Sequence, residues 1–221
     1  MSKIRFDLIT IFPRIFDSYI NESMVRRAQE KKHIAISTVD IRSFSRDRHN
    51  KVDQKPYGGG PGMVLQAEPI MRAILSVAKK KQKPLVILTR AGGKQFNEKS
   101  AQKLAREKQI ICVAGHYEGF DERIAAMLKQ EKIRTAEYSI GSYVLTGGEL
   151  PALVMLDAVI RHIPGVLGKE ESLEETRYGV GVPAYTRPEV IMWKQKKHVV
   201  QKVLLSGNHA HIDAWRKKHS K

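Results

Sequence analysis

FDLITIF (6–12) groups β-branched and aromatic residues and stops at Pro13, the pattern of a strand. Beyond it, Ile15, Phe16, Tyr19, Ile20, Met24 and Ala28 recur at helical spacing through PRIFDSYINESMVRRAQEKK, which predicts one helix. IAISTVDI (34–41) predicts a second strand, and a helix is expected over 67–80 with Pro69 in its first turn. PLVILT (84–89) and QIICVAG (109–115) are continuous apolar runs, not alternating ones. Continuous runs suit strands buried on both faces of a parallel sheet. NEKSAQKLAREK between them reads as a helix capped by Asn97. DERIAAMLKQ (121–130) and LPALVMLDAVIRHI (150–163) read as helices, and AEYSIGSYVL (136–145) as holding a strand. Strand and helix alternate, so the expected class is α/β.

Three stretches depart from this alternation. Residues 42–63 are polar and rich in Gly, Arg and Asp, and read as a long loop. Residues 164–184 carry glycines, two prolines and four glutamates, and read as a linker. Residues 185–221 are basic and read as helical; from Lys194 onward eight Lys/Arg stand against one acid, Asp213.

Composition narrows the function. Lys+Arg 39 against Asp+Glu 23 gives a net charge of +16. A surplus that large suits a polyanionic partner, nucleic acid first. The one cysteine, Cys112, rules out a disulfide framework, points to a reducing compartment, and reads as a small core residue. No run approaches the roughly 18 apolar residues of a membrane span. A soluble, cytoplasmic protein with no membrane partner is expected. His49, His116, His162, His209 and His211 show no metal-ligand spacing, so no structural metal is expected.

PYGGGPGM (56–63) lacks the Lys-Ser/Thr of a P-loop and the spacing of a dinucleotide fingerprint. Its glycines suit a backbone that passes close to a flat ligand such as an RNA base. Three further glycine turns, LTRAGGKQF (88–96), AGHYEGFDER (114–123) and SIGSYVLTGGELPALV (139–154), each follow an apolar strand. Strand ends gathered around one pocket are the expectation.

ITIFPRIF, VDQKPYGGGPGM, GHYEGFDER, SIGSYVLTGGELPALVMLDAV, IPGVLG, YTRPEV and LLSGNHAHIDAWR occur in that order. Together they resemble the bacterial tRNA (guanine-37-N1)-methyltransferase family of the SPOUT class, over nearly the whole chain. The resemblance implies a parallel α/β sheet domain with a deep trefoil knot (1–162), a linker (163–184) and a small C-terminal helical, tRNA-binding domain (185–221). It implies S-adenosylmethionine as methyl donor, the tRNA anticodon stem-loop as partner, and a homodimer with shared active sites. Carried over by position, the cofactor residues are Leu88, Thr89, Arg90, Gly115, Tyr117, Glu118, Gly119, Ser139, Ile140, Gly141, Tyr143, Leu145, Gly147, Gly148 and Pro151. The substrate residues implied are His49, Asp53, Tyr57, Gly58, Gly59, Ser206 and Asn208.

Methylating guanine N1 requires removal of its proton by a base, and a cation near O6 to stabilise the developing charge. The resemblance assigns the cation to Arg161. The family's base is an aspartate in the linker, and here the pattern departs. Counting from Arg161 reaches Thr176, and counting back from Pro183 reaches Leu173, because this linker is shorter. Glu175 is the expected base, with Glu174 second. Ser142 stands where the family usually has Asp, and His116 where Arg is common. Magnesium assistance through the RNA or the carboxylates is compatible with the sequence. An alternative reading is an RNA-binding homologue that binds cofactor with weak or no transfer, or that acts on another RNA.

Overall fold

The computed structural model describes residues 4–167 and 178–220. Two compact units divide the chain, Met1–Leu167 and Gly168–Lys221. In the first, β1 (Ile4–Thr10), β2 (Ile34–Asp40), β5 (Leu85–Gln95), β6 (Gln109–Val113) and β7 (Arg134–Ser139) form one sheet in the order β2-β1-β6-β5-β7. Every pair in it is parallel, from Ile4 opposite Ile34 to Gln95 opposite Ser139. The strands β3 (Asp53–Gln54) and β4 (Val64–Leu65) form a separate antiparallel pair.

Alternation within the central strands sorts the core into two layers. Ile4, Phe6 and Leu8 of β1, Ile87 of β5 and Ile110 and Cys112 of β6 face one side. There they meet α1 (Asp17–Ile20), α2 (Ser23–Glu30), α4 (Glu98–Leu104) and α6 (Glu149–Arg161). Ile9, Val86, Leu88, Ile111 and Val113 face the other, against α3 (Ala67–Val77) and α5 (Arg123–Gln130). Residues that look like an unbroken apolar run therefore supply both layers, as a doubly covered parallel sheet requires.

Asp7 places a charge within this core. The Asp7 carboxylate is fully buried, yet it accepts from Arg5 Nε at 2.8 Å, Gln109 Nε2 at 2.6 Å and the Ser37 hydroxyl. Gln109 is spent further, donating to Val77 O at 2.8 Å and accepting from Lys79 N at 2.9 Å. Each polar atom is thus matched, which is what makes burial of a carboxylate tolerable.

Several sequence expectations shift. The single helix expected over 13–32 is broken: a 3₁₀ turn at Pro13–Ile15 precedes α1, and α2 starts afresh at Ser23. Ser23 has φ of 48°, a left-handed conformation that interrupts a right-handed helix. The strand sought in 136–145 stops at Ser139. The C-terminal stretch read as helical opens instead on an antiparallel hairpin, β8 (Val190–Trp193) and β9 (Lys196–Val199), before α7 (Lys202–Leu205) and α8 (His209–His219). Ile163 and Val166, expected in the linker, are buried in the first unit's core.

Cys112 is buried in β6, and burial pushes its thiol up to about 12. Burial penalises the thiolate, so the reactive form is scarce at neutral pH. A disulfide reagent at pH 8 is expected to leave the native protein unlabelled and to modify one thiol per chain in denaturant. Rapid native labelling would show that β6 is accessible.

Candidate active site

The carboxyl ends of β6 and β7, and a break in register between Thr89 and Lys94 inside β5, where the sequence predicted a turn, open into one cavity of about 420 Å³. Ligand sites of parallel sheets lie at that edge, where the connecting turns diverge. Three segments line it. The first is Thr89 and Arg90 with Ala91 and Gly92. The second is the turn from Gly115 through His116, Tyr117, Glu118 and Gly119 to Phe120. The third runs from Glu137 through Ser139, Ile140, Gly141, Tyr143, Leu145, Gly147 and Gly148 to Pro151. Of the cofactor residues expected from sequence, Leu88 alone is not on the wall. It is fully buried beneath the cavity, in the layer against α3 and α5.

Close backbone approach welds the three segments together. Gly148 N donates to Gly115 O at 2.6 Å. Thr89 Oγ1 donates to Val113 O at 3.1 Å and accepts from Gly115 N at 3.3 Å. A Cβ at Gly148 would lie 2.7 Å from Gly115 N and 2.8 Å from Ala114 Cα, so only glycine fits that crossing. In the third segment, Ser139 Oγ donates to Gly141 O at 2.8 Å, turning the chain out of β7.

The site's charged groups are held in place. Arg90 pairs with Glu122 and, at 3.3 Å, with Glu137, and lies 5.2 Å from the centre of the Phe120 ring. The hydrogen bonds it donates to Glu122, then the two carboxylate charges, keep the guanidinium above its ordinary value against the opposing cost of burial. The same bond holds the Glu122 carboxyl below the usual range. Glu149, at the first position of α6, is buried and accepts from Thr10 Oγ1 at 2.6 Å. The helix N-terminus favours a carboxylate there. His116 Nδ1 lies 3.8 Å from Glu149 Oε2, too far for a hydrogen bond, and is a buried atom with no hydrogen-bond partner. Its ring meets Phe12 and Tyr117 edge-on, each with centroids 4.9 Å apart.

The PYGGGPGM loop is stapled to the cavity at its exit. Glu118 N donates to Met63 O at 3.0 Å, Leu65 N to Gly119 O at 2.9 Å, and Asp121 N to Leu65 O at 2.9 Å. Its base is closed where Asp53 pairs with Leu65 and Gln54 with Val64. Gly58, Gly59, Gly60 and Gly62 have φ between 80° and 109°, which licenses the glycines that the sequence shows. At the tip Tyr57 is 99% exposed, and no atom lies within 4 Å of a Cβ built at Gly58 or Gly59. His49 lies in an exposed turn, where its N–H donates to Asp47 Oδ2 at 2.6 Å.

Other expected residues lie apart from the cavity. Arg161 is the last residue of α6, whereas Pro151 on the cavity wall is in the first turn. Ten residues of helix separate them by about 15 Å. Ser206 and Asn208 belong to the second unit, where Ser206 Oγ donates to Val203 O at 2.8 Å and Asn208 Oδ1 caps α8 by accepting from His211 N at 3.2 Å. Glu174 and Glu175 lie outside the described residues. Among the described residues no three His, Cys, Asp or Glu gather as metal ligands, and no helix is long and apolar enough to cross a membrane. Sequence reasoning missed the pairing of Arg90 with Glu122 and Glu137, and the buried Glu149 beside His116. A glutamate inside the apolar run GGELPALV was the available signal for the latter.

The family model described as tRNA (Guanine-1)-methyltransferase TrmD matches residues 4–221. A tRNA (guanine-N(1)-)-methyltransferase of Moorella thermoacetica is 45% identical, over 97% of this chain and 84% of that protein. One of Staphylococcus carnosus is 46% identical over 96% and 84%, and one of Dehalococcoides mccartyi 45% over 98% and 86%. With the family model matched over residues 4–221 and relatives 45–46% identical over nearly the whole chain, the chain belongs to the tRNA (guanine-1)-methyltransferase family TrmD.

Proposed function

We propose that this protein methylates N1 of guanine in tRNA, at position 37 beside the anticodon, with S-adenosylmethionine as donor. The observation that carries the reading is the cavity at the strand ends, with the open glycine loop fastened to its wall at Met63 and Leu65. When bound, S-adenosylmethionine supplies an electrophilic methyl group on a positively charged sulfonium. The cavity suits that group. Its wall carries Glu118 and Glu137 against Arg90, whose charge Glu122 and Glu137 already offset. Ile140, Tyr143 and Leu145 offer apolar surface, and the turns around Gly115–Gly119 and Gly141–Gly148 offer backbone donors and acceptors.

Within this reading Tyr57, Gly58 and Gly59 approach the target base, Glu175 or Glu174 takes the N1 proton, and Arg161 steadies the charge that develops on O6. Arg161 stands about 15 Å along α6 from the cavity of its own chain, beyond the reach of its side chain. A homodimer in which each cavity is completed by the partner resolves this. Leu150 and Val154, 56% and 47% exposed, lie on the same helical stripe as Arg161, and Tyr19 and Ile15 are also exposed. Partial burial of its ring, and then a hydrogen bond to Asp157 on that stripe, push the Tyr19 phenol up. An apolar stripe of this kind suits a second copy. The trefoil knot belongs to the same reading, supported by the tight crossing of Gly148 over Gly115.

Mass spectrometry of tRNA transcripts treated with protein and labelled cofactor is expected to find N1-methylguanine at position 37. Changing Glu174 and Glu175 together to Gln is expected to slow transfer by roughly 10²–10⁴-fold while leaving cofactor affinity near wild type. Cofactor binding with no transfer to any tRNA would instead favour a binding protein that has lost the chemistry.

A further inference from the structure

The hairpin β8–β9 has no counterpart among the sequence expectations. Its connecting residues, Lys194 and Gln195, have φ of 45° and 62°, the left-handed pair of a tight two-residue turn. Neither is the Gly or Asn that such turns favour, so the ladder must hold them there. Cross-strand pairing sets Trp193 opposite Lys196 and Ile191 opposite His198. Directly opposite residues share a face of an antiparallel pair. One face therefore carries Trp193, Lys196, His198 and Ile191 side by side. Trp193 is 65% exposed, and the whole of β9 is exposed. The other tryptophan, Trp215, stacks on His219 with centroids 4.3 Å apart. From Val190 to Ile212 there is no acid, while Lys194, Lys196, Lys197 and Lys202 are all present.

An exposed indole among cations, with the acids Glu189 and Asp213 only at the edges of the segment, matches the chemistry of single-stranded nucleic acid: a flat base to stack on and phosphates on either side. We propose that this hairpin is an RNA-contact surface, with Trp193 stacking on an unpaired base of the tRNA, Lys194 and Lys196 beside it holding the flanking phosphates, and Lys197, opposite Met192 on the other face, holding a phosphate further along the strand. The assignment rests on tRNA being the substrate. It places recognition on an element outside the cavity of the first unit, so it governs RNA affinity and not transfer of the methyl group.

The test uses the full-length protein, with Trp193→Ala and the triple variant Lys194→Ala/Lys196→Ala/Lys197→Ala. These side chains are exposed, and circular dichroism and melting curves verify the fold. Binding of unmodified tRNA is measured by fluorescence anisotropy at several salt concentrations. Trp193→Ala is expected to weaken binding about 10-fold. The triple variant is expected to weaken it further and to lower the slope of log K against log salt by about 2. Cofactor affinity and the turnover rate at saturating tRNA should stay within about twofold of wild type, so that the loss lies in KM. Unchanged tRNA affinity and salt slope would overturn the proposal while leaving the methyltransferase reading intact. A change of sedimentation in the variants without RNA would overturn it too, by making the hairpin a contact between copies. Failure of the wild type to methylate tRNA would overturn the functional reading instead, and the binding slopes would still decide whether the hairpin holds RNA.

Discussion

Gly148→Ala is expected to abolish cofactor binding and to lower stability by about 3 kcal/mol or more. The added methyl would sit 2.7 Å from Gly115 N and 2.8 Å from Ala114 Cα, and closer still to Thr89 Oγ1. Two of these atoms are backbone just past the carboxyl end of buried β6, and cannot swing away as the tip of a long side chain can. Relief requires separating the third segment from the second, which breaks the 2.6 Å bond from Gly148 N to Gly115 O and opens the cavity. Isothermal titration should show no binding, and thermal unfolding a drop of roughly 10 °C. Gly141→Ala is the graded control. Its methyl meets the Tyr143 ring, 2.6 Å from Cζ, and that side chain is exposed enough to rotate. Weakened cofactor binding with a nearly unchanged melting temperature is expected for it. Full cofactor affinity in Gly148→Ala would disprove the crossing as the wall of the site.

Arg161→Ala is expected to reduce turnover by roughly 10²–10³-fold, the scale for losing one charge-stabilising donor, with cofactor affinity preserved. Preservation follows from the placement of Arg161 at the far end of α6 from Pro151 and the rest of the cavity. The proposed sharing of sites between two copies makes a sharper demand. Mixing Arg161→Ala with a cavity-filled variant, Gly141→Trp, should restore activity that neither has alone. Random reassociation makes half the dimers mixed, and each mixed dimer has one of its two sites intact, which gives about one quarter of wild-type activity. No recovery after verified subunit exchange would mean that Arg161 serves the cavity of its own chain, and the shared-site reading would fall.

Much of this was legible in the chain. Continuous apolar runs at 84–89 and 109–115 announced strands covered on both faces, because periodicity records how many sides of an element are buried. The glycine turns marked the wall of the cavity, since glycine suits places where backbones approach closely or φ is positive. The break at Ser23 was not legible: Ile15, Tyr19 and Met24 keep helical spacing across it, and only the packing of α1 and α2 on the sheet demands the left-handed residue. The hairpin was hidden for a similar reason. Lys194-Gln195 carries no turn signature, so its conformation comes from the pairing of β8 with β9.

By itself, then, the sequence determined the class of the fold, the polyanionic partner and the segments that form the cavity, all properties of local pattern and net charge. Strand order β2-β1-β6-β5-β7 was decided only in three dimensions. So were the meeting of Thr89, Gly115 and Gly148, the burial of Glu149 beside His116, and the 15 Å or so between Arg161 and the cavity of its own chain. Hydrophobic period reports whether a residue is covered and is silent on what covers it, and pairings between residues far apart in sequence are fixed by the closure of the whole core.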